Sequence, residues 1–366
     1  MSALFESLTL RGLTVRNRIW LAPMCQYSVD RRDGVPTDWH LVNLGARAQG
    51  GFGLLLTEAT AVTADGRISP QDTGLWNDTQ RDAWTRIVEF VHGQGAAIGV
   101  QLAHAGRKAS TYRGFPDEPE GSVPLDQGGW ETVSSSVEAF PGYDAPREMS
   151  LDDVAAVVAA FGEAARRAVE AGFDTVEVHG AHGYLVHQFL SPLTNHRDDL
   201  YGGDLAGRSR LLVEIVDAVR AVVPEAMPVL VRLSATDWTE GGWDSEQTVA
   251  VSAVLREHGV DLVDVSTGGA VLAEIPVGPG YQVPFARAVR EGAGLPSGAV
   301  GLITSAQQAE TVLTTGDADV VLLARAALRD PAWPQRAAAE LGVDWHEAGY
   351  PDPYARGHWP SEALAG

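Results

Sequence analysis

The segment SLDDVAAVVAAFGEAARRAVEAG (150–172), which runs directly into FDTVEVHG (173–180), decides the fold class of this chain. Its first part has apolar residues at helical spacing, opens with the capping signal of Ser150 and two aspartates, and stops at Gly172. Its second part is short, apolar and β-branched, which is typical of a buried parallel strand. A helix that leads straight into such a strand predicts an α/β protein.

The same unit recurs along the chain, with helix-length amphipathic stretches between short apolar runs. The runs are NRIWLAPM, GFGLLLTEAT, AAIGVQLAH, FDTVEVHG, PVLVRLSA, DLVDVSTGG, AVGLIT and ADVVLLAR. Eight such units predict a single closed (β/α)8 TIM barrel, which forms one domain over residues 1–366. A doubly wound open sheet is the alternative, but eight strands and the lack of a GxGxxG fingerprint argue against it.

Three segments do not fit a bare barrel. Residues 3–16 predict a short hairpin that plugs the bottom of the barrel. Residues 109–149, rich in Pro, Gly, Ser and acidic residues, form a long excursion after the third strand, and we expect it to cap the barrel mouth. Residues 343–366 form a C-terminal tail.

The composition narrows the class of protein. With 45% hydrophobic and 20% charged residues, the chain has the make-up of an ordinary globular protein. A net charge of −21 repels phosphate groups, so we expect no nucleic acid and no anionic membrane as a partner. There is no signal-peptide apolar region and no long apolar span, so we expect a cytoplasmic protein. Cys25 is the only cysteine, which excludes an internal disulfide and a cysteine-ligated cluster, and Lys108 is the only lysine, which argues against a Schiff-base aldolase or a Walker-type NTPase.

The residues at the carboxyl ends of the strands indicate the chemistry, because catalysis in such barrels takes place there. They are Cys25, Ala59, Gln101, His179, Arg232, Ser266, Gly301 and Arg325. No carboxylate is among them, and Glu58 is the nearest, which disfavours a glycosidase or a divalent-metal enzyme. The polar groups among these residues are mainly hydrogen-bond donors, which suit an anionic or carbonyl-bearing ligand. The loops after the last two strands are the usual phosphate site of this fold. Arg325 could alternatively be a solvated residue at a helix start.

Four histidines lie in EVHGAHGYLVHQFLSPLTNHRDDLYGG (177–203). They could form a metal site, lie in the core with satisfied hydrogen bonds, or clamp a substrate. A metal-dependent hydrolase built on His179, His182 and His187 is the alternative function, although the H-x-x-H pair has no carboxylate or cysteine at a fitting offset. His187 and His196, with Arg197, are expected to be structural.

At this point the chain resembles a known family. APMCQY (22–27), TEATAV, QLAHAGRKAS, HGAHGYLVHQFLSPLTNHRDDLYGG and VRLSA occur in the same order in Old Yellow Enzyme-type flavoprotein ene-reductases. The resemblance spans about residues 3–359, and Cys25 with the compact barrel is similar to the thermophilic-like bacterial branch of the family.

The resemblance implies an FMN across the barrel mouth. Gln101 would hydrogen bond its pyrimidine, Arg232 would face the N1/O2 edge, where the reduced flavin is negative, and Cys25 would tune the reduction potential. The implied cofactor-binding residues are Ala22, Pro23, Met24, Cys25, Ala59, Gln101, Arg232, Gly301, Ala324 and Arg325. Gln101 or Arg232 could instead be a satisfied buried polar group, Met24 core packing, and Cys25 an inert thiol.

The resemblance also suggests how a substrate binds. His179 and His182 would donate hydrogen bonds to the carbonyl oxygen of an α,β-unsaturated compound, at about 3 kcal/mol for each preorganised donor. Tyr184 would supply the proton to Cα. Tyr27 would also face the substrate, and Arg356 or Trp359 would reach a neighbouring subunit's active site, although the tail departs from the branch's usual R-G-W ending by the insertion of His358.

The resemblance therefore implies an FMN-dependent NAD(P)H:acceptor oxidoreductase that reduces activated C=C bonds by ping-pong hydride transfer, with nitro compounds and quinones as further acceptors. NADPH or NADH would be the donor, and a homodimer or higher homo-oligomer is expected. A tRNA dihydrouridine synthase is disfavoured by the net charge of −21, and a dienoyl-CoA reductase by the single cysteine.

Overall fold

The computed structural model describes residues 2–360, and its centre is a closed barrel of parallel strands. The strands are β1 (Leu8–Leu10), β2 (Leu13–Val15), β3 (Ile19–Leu21), β4 (Leu54–Ala61), β5 (Ala97–Ala103), β6 (Val133–Ser134), β7 (Arg147–Glu148), β8 (Thr175–Gly180), β9 (Val229–Ser234), β10 (Leu262–Ser266), β11 (Ser297–Ala299) and β12 (Val320–Leu323). The helices are α1 (Asp38–Gln49), α2 (Asp78–Gly93), α3 (Leu151–Ala171), α4 (Leu185–Leu190), α5 (Leu205–Arg220), α6 (Ser245–Glu257), α7 (Val283–Ala293), α8 (Ala306–Thr314), α9 (Arg325–Arg329) and α10 (Trp333–Glu340).

The barrel closes in the order β3-β4-β5-β8-β9-β10-β11-β12, and β12 pairs with β3. All of these pairings are parallel, and helices lie between the strands in the sequence, so the predicted (β/α)8 TIM barrel is confirmed. The open doubly wound sheet is excluded because the strands close on themselves.

The unit that decides the fold class forms as the sequence predicts. The Ser150 hydroxyl accepts the Asp153 N–H, and the Asp153 carboxylate accepts the Ser150 N–H in return, so the first turn of α3 has a complete capping box. The helix ends at Gly172, whose φ of 89° suits a residue without a side chain. The chain then enters β8, which is buried throughout.

The predicted N-terminal hairpin is present. Strands β1 and β2 pair antiparallel, and their buried residues Leu10 and Val15 pack against Trp20, Leu54 and Leu230 of the barrel strands. Because Leu54 begins β4 and Leu230 lies near the start of β9, this contact closes the amino-terminal end of the barrel. The opposite end is the barrel mouth.

The barrel interior changes from apolar to polar toward the mouth. On β9, Leu230 belongs to the apolar interior cluster and Arg232 follows it on the same side; on β10, Leu262 is followed by Asp264 in the same way. The residues between them, such as Val231 and Val263, pack outward in the large cluster that joins the barrel to its helices. A layer of polar groups therefore lies directly below the mouth.

The excursion of residues 109–149 packs beside the mouth. The Ser135 hydroxyl contacts the carbonyl oxygens of Gln188 and Thr194, and the Ser134 hydroxyl donates to the Gln188 side chain, so polar contacts tie the excursion to α4 and the loop after it. Trp130 packs against the apolar cluster that contains Ala59. This placement agrees with the capping position expected from the sequence.

Within residues 2–360, the structure contains no helix that is long and apolar enough to cross a membrane.

Candidate active site

An apolar cluster of side chains lies at the ends of the early strands. Ala59 is buried there with Ile68 and Ala103, and the partly buried side chains of Cys25, Tyr27, Trp130 and Tyr184 pack against this cluster. Ala22 is fully buried and its N–H donates to the carbonyl of Leu323, while Pro23 and Met24 are half-buried between the barrel and Cys25. Burial is the main cause that raises the pKa of the Cys25 thiol, so Cys25 is a neutral thiol at physiological pH.

His179 and His182 are adjacent at the end of β8. Their ring centroids are 5.2 Å apart, and His182 Nδ1 lies 3.5 Å from His179 Nε2. Because His179 Nδ1 accepts the Ala181 N–H, the ring proton of a neutral His179 lies on Nε2 and faces His182. His182 Nε2 is in turn 2.8 Å from the Ser266 hydroxyl, which reaches Gln282 at 3.3 Å. The two rings therefore form a hydrogen-bonded relay along the floor of the mouth.

Both imidazoles are neutral. Burial lowers the pKa of His179 and of His182 well below the ordinary value, and the nearby Arg232 guanidinium lowers each further. Each ring therefore carries one N–H. A neutral imidazole can donate its N–H to an oxygen on which negative charge develops, and it needs no change of protonation state to do so.

Tyr184 lies beside this pair. Its ring centroid is 5.0 Å from that of His179 in an edge-on arrangement, and Tyr184 is the N-cap residue that precedes α4. Burial raises the pKa of the Tyr184 phenol well above the ordinary value, so the hydroxyl holds its proton at neutral pH. Lys108 Nζ lies 5.2 Å from the centroid of the Tyr184 ring.

The backbone between His182 and Tyr184 is held in an unusual conformation. His182 has a φ of 59° and Gly183 a φ of 70°, both in the left-handed region. Lys108 Nζ donates to the His182 carbonyl at 2.8 Å and to the Gly269 carbonyl at 3.1 Å, and the Ser234 hydroxyl accepts the His182 N–H at 2.9 Å. A side chain at Gly183 would come within 2.0 Å of the Gly269 carbonyl oxygen. These contacts fix both imidazoles and the phenol toward the mouth.

The polar layer beneath the mouth spans four neighbouring strands. Gln101 Nε2 donates to Glu177 Oε1 at 2.7 Å, and Arg232 Nε forms an ion pair with Asp264 Oδ2 at 3.0 Å. All four side chains are buried. Gln101 and Arg232, which the sequence identified separately, thus belong to one charged layer.

The loops after the last two strands border a cavity of about 180 Å³ that reaches the polar layer at Arg232. Gly301 lies in its wall with a φ of 112°, and a Cβ there would meet the Gln282 amide at 2.9 Å. The cavity is lined by Arg232, Gly301, Ala324, Arg325 and Arg329, among others. Arg325 is exposed and, within residues 2–360, forms no ion pair, so its charge is available to a ligand.

The remaining histidines of the motif are structural. His187 is fully buried, accepts the Gly183 N–H and faces Asp237 at 3.1 Å. His196 lies 3.8 Å from Glu138 on the surface. Among the described residues, no three His, Cys, Asp or Glu side chains are grouped to hold a metal ion. The alternative prediction of a metal-dependent hydrolase on His179, His182 and His187 is therefore not supported, because His187 is turned to Asp237.

Arg356 and Trp359 do not join the mouth of their own barrel. Both are exposed on the tail, where the Trp359 N–H donates to the Tyr350 hydroxyl. Ala348 and Gly349 of the tail lie against Gly51, which precedes β4, and against Arg16, at the closed end of the barrel. His358 stacks on Trp345 at a ring-centroid distance of 4.6 Å, so the segment that carries Arg356 and Trp359 is joined to that end of the barrel rather than to the mouth.

The chain also matches known proteins. The model of the NADH:flavin oxidoreductase / NADH oxidase family matches residues 3–343. The chain belongs to this family. It is 47% identical to an NADPH dehydrogenase of Geobacillus sp. (strain WCH70) over 340 residues, which cover 93% of this chain and 95% of that protein.

Solved structures agree with the family assignment. The Old Yellow Enzyme homologue from Zymomonas mobilis has a TM-score of 0.78 at 27% identity, with 98% of this chain and 99% of that chain covered. Morphinone reductase in complex with tetrahydroNAD has a TM-score of 0.76 at 27% identity, with 96% and 97% covered. The chain is therefore an FMN- and NAD(P)H-dependent oxidoreductase of the Old Yellow Enzyme type, and the recognition made from its motifs is confirmed.

Several residues of the mouth were not assigned from the sequence. Lys108 was noted only as the single lysine, although it anchors the His182 backbone. Gln282, which ends the imidazole relay, lies outside every motif. Glu177 and Asp264 could have been found from the alternation of β8 and β10, because a carboxylate on the inward side of a barrel strand needs a partner.

Proposed function

We propose that this oxidoreductase reduces the activated C=C bond of α,β-unsaturated carbonyl compounds, with nitro compounds and quinones as further acceptors. The observation that carries the proposal is the pair of neutral imidazoles at His179 and His182 beside the protonated phenol of Tyr184. Such a site offers hydrogen-bond donors to an oxygen that becomes negative and a proton to a neighbouring carbon.

The residues of the mouth fit an FMN. The buried Gln101 and Arg232 offer polar groups to a pyrimidine ring, and the apolar side chains of Ala22, Pro23, Met24, Cys25 and Ala59 would suit the rest of a flavin. The cavity at Gly301, Ala324 and Arg325 would take the phosphate, since a Cβ at 301 would narrow it. When bound, FMN supplies to the substrate the hydride that it has received from NADPH or NADH.

The imidazoles would hold the substrate carbonyl. The His179 Nε2–H donates to His182 Nδ1 over 3.5 Å, which is long for a hydrogen bond. The carbonyl oxygen of a substrate above the pair would therefore be a better acceptor. His182 would join by turning its ring proton from Ser266 toward the same oxygen. As Cβ receives a hydride, negative charge grows on the carbonyl oxygen, and these donors stabilise it most at that moment.

Tyr184 would complete the reaction at Cα. Its phenol holds the proton at neutral pH, and Tyr184 packs, as Cys25 and Trp130 do, against the apolar cluster around Ala59. Transfer of that proton to Cα yields the saturated carbonyl compound, and solvent returns a proton to the phenolate. Tyr27, also in this cluster, would contact the substrate.

The tail would contribute from a second copy of the chain. Arg356 and Trp359 are exposed at the closed end of their own barrel, so they can reach a mouth only in a neighbouring subunit. We therefore propose a homodimer or higher homo-oligomer in which one of the two residues crosses.

A labelling experiment tests the proposed reaction. The purified enzyme, NADPH carrying deuterium at C4 and 2-cyclohexenone are incubated, and the product is analysed by mass spectrometry and NMR. We expect cyclohexanone with deuterium at Cβ from the nicotinamide and, in D2O, with solvent deuterium at Cα. NADPH oxidation without a saturated product would contradict the proposed reaction. A colourless protein that contains no flavin and takes up no added FMN would contradict the proposed cofactor site.

A further inference from the structure

Glu177 is a carboxyl group in the barrel interior for which the reaction outlined above has no use. It is fully buried, at 0% exposure, and so is Asp264. Glu177 Oε1 accepts one hydrogen bond, from the Gln101 amide at 2.7 Å, and within residues 2–360 its Oε2 has no hydrogen-bond partner. An ionised carboxylate with one bare oxygen in such a place is strongly disfavoured.

The charges around Glu177 do not balance if every group is ionised. Arg232 on β9 is the one cation of this layer, and it is committed to Asp264 on β10 at 3.0 Å. β5 contributes only the neutral Gln101, and the imidazoles of His179 and His182 above the layer are neutral. Two ionised carboxylates against one guanidinium would leave a net negative charge in the interior. One retained proton makes the layer neutral.

We propose that Glu177 is a positioning residue that keeps its proton at neutral pH and thereby fixes the Gln101 amide and holds the layer beneath the flavin neutral. Because Gln101 Nε2 donates to Glu177 Oε1, the orientation of the side-chain amide is fixed. Its Oε1 accepts no hydrogen bond within residues 2–360 and can therefore accept one from a donor at the mouth. A neutral layer also leaves the Arg232 charge able to favour a negatively charged reduced flavin. This inference rests on the proposed FMN site, but the protonation state of Glu177 can be measured without FMN.

The electrostatics agree with the geometry. Burial, followed by the negative charge of Asp264, raises the pKa of Glu177 to about 8, while Arg232 and the Gln101 hydrogen bond act in the opposite direction. Above that pH, a negative charge would appear below the pyrimidine site. The affinity for reduced FMN should then fall relative to that for oxidised FMN.

Infrared difference spectroscopy tests the proton directly. The spectrum of the wild type minus that of Glu177→Gln, recorded at pH 7 on FMN-free and FMN-loaded protein, should contain the carbonyl stretch of a protonated carboxylic acid. That band should disappear with a midpoint near the pKa of about 8. Asp264→Asn removes the negative charge that raises the pKa of Glu177, so in this variant the band should disappear at a lower pH than in the wild type. A band that persists in Glu177→Gln, or the lack of a band in the wild type at pH 7, would overturn the proposal.

Flavin titrations test the positioning role. Glu177→Gln keeps an acceptor for Gln101 and mimics the protonated acid, so its Kd for FMN at pH 7 should stay within about twofold of the wild type. Glu177→Leu leaves the Gln101 amide unpaired, and its Kd should rise about tenfold, as for a lost buried partner. Above pH 9 the preference for reduced over oxidised FMN should fall about tenfold further in the wild type than in Glu177→Gln, as for one uncompensated nearby charge.

These results separate the two proposals. A wild type that binds no FMN would contradict the cofactor site, and the infrared band of the FMN-free protein would still decide the state of Glu177. If Glu177→Gln changes the Kd and the reduced-to-oxidised preference by tenfold at pH 7, Glu177 is ionised there and the inference is wrong. If Glu177→Leu does not fold, Glu177→Gln and the infrared band still give the answer.

Discussion

The phosphate end of the cofactor site can be tested by Arg325→Ala. Arg325 begins α9, is exposed, and lines the cavity of about 180 Å³ beside Gly301 and Ala324. Since it forms no ion pair within residues 2–360, its loss should leave the barrel intact. A hydrogen bond to a charged group contributes about 1.5–3 kcal/mol, and solvent exposure favours the lower end of that range. The Kd for FMN should therefore rise about 10- to 30-fold.

Riboflavin provides the comparison because it lacks the phosphate. Fluorescence titration of FMN-free protein should give a riboflavin Kd that changes less than about twofold in Arg325→Ala, and the salt dependence of FMN binding should weaken. Arg86→Ala, which removes an equally charged and exposed side chain from α2, is the control and should leave both affinities unchanged. Equal losses for both flavins, or no loss for FMN, would refute the assignment of Arg325 to the phosphate.

Three further predictions follow from the site. Cys25→Ala should keep FMN bound but shift its reduction potential, measured by dye equilibration, because a neutral thiol leaves the pocket; an unchanged potential would show that Cys25 is only packing. Glu177→Gln should become more stable to heat, relative to the wild type, as the pH rises from about 5 to 8. The pKa of Glu177 in the folded protein is about 8 and lies above the ordinary 4.5, so the wild type has its full stability below 4.5 and loses part of it as the pH rises through 8, whereas a glutamine does not titrate. A gain that is larger at pH 5 than at pH 8 would contradict it. Either Arg356→Ala or Trp359→Ala should raise the KM for enones without changing FMN affinity, and mixing it with an inactive mouth variant such as Tyr184→Phe should restore part of the activity if the residue crosses between subunits.

The sequence was sufficient to predict the barrel because its signals are local. Each helix carries its own apolar spacing and cap, as Ser150 and Gly172 show for α3, and each strand is a short apolar run. The hairpin of residues 3–16 was predicted for the same reason, since β1 and β2 are adjacent in the chain. The residues at the carboxyl ends followed from the fold, because parallel strands bring their ends to one side.

The hydrogen-bond partners in the mouth could not be predicted in this way. The contact of Lys108 with the His182 carbonyl joins residues 74 positions apart, and that of His182 with Ser266 joins residues 84 apart. Such pairs depend on loop geometry, including the positive φ of His182, which the residue type does not predict because histidine rarely adopts it. The same holds for the turn of His187 toward Asp237, which removes it from any metal site.

The most direct test of the proposed site is stopped-flow reoxidation of the NADPH-reduced enzyme by 2-cyclohexenone and by a quinone. His179→Ala/His182→Ala should slow the enone reaction by about 10²-fold or more, as for lost oxyanion donors, while reduction by NADPH changes less. Tyr184→Phe should slow the enone reaction about 10- to 10⁴-fold, as for a lost general acid, and leave the quinone reaction nearly unchanged, since a quinone needs no proton at Cα. If Tyr184→Phe slows both acceptors equally, or if the double variant reduces the enone at the wild-type rate, the site does not work as a carbonyl clamp with a phenolic proton donor.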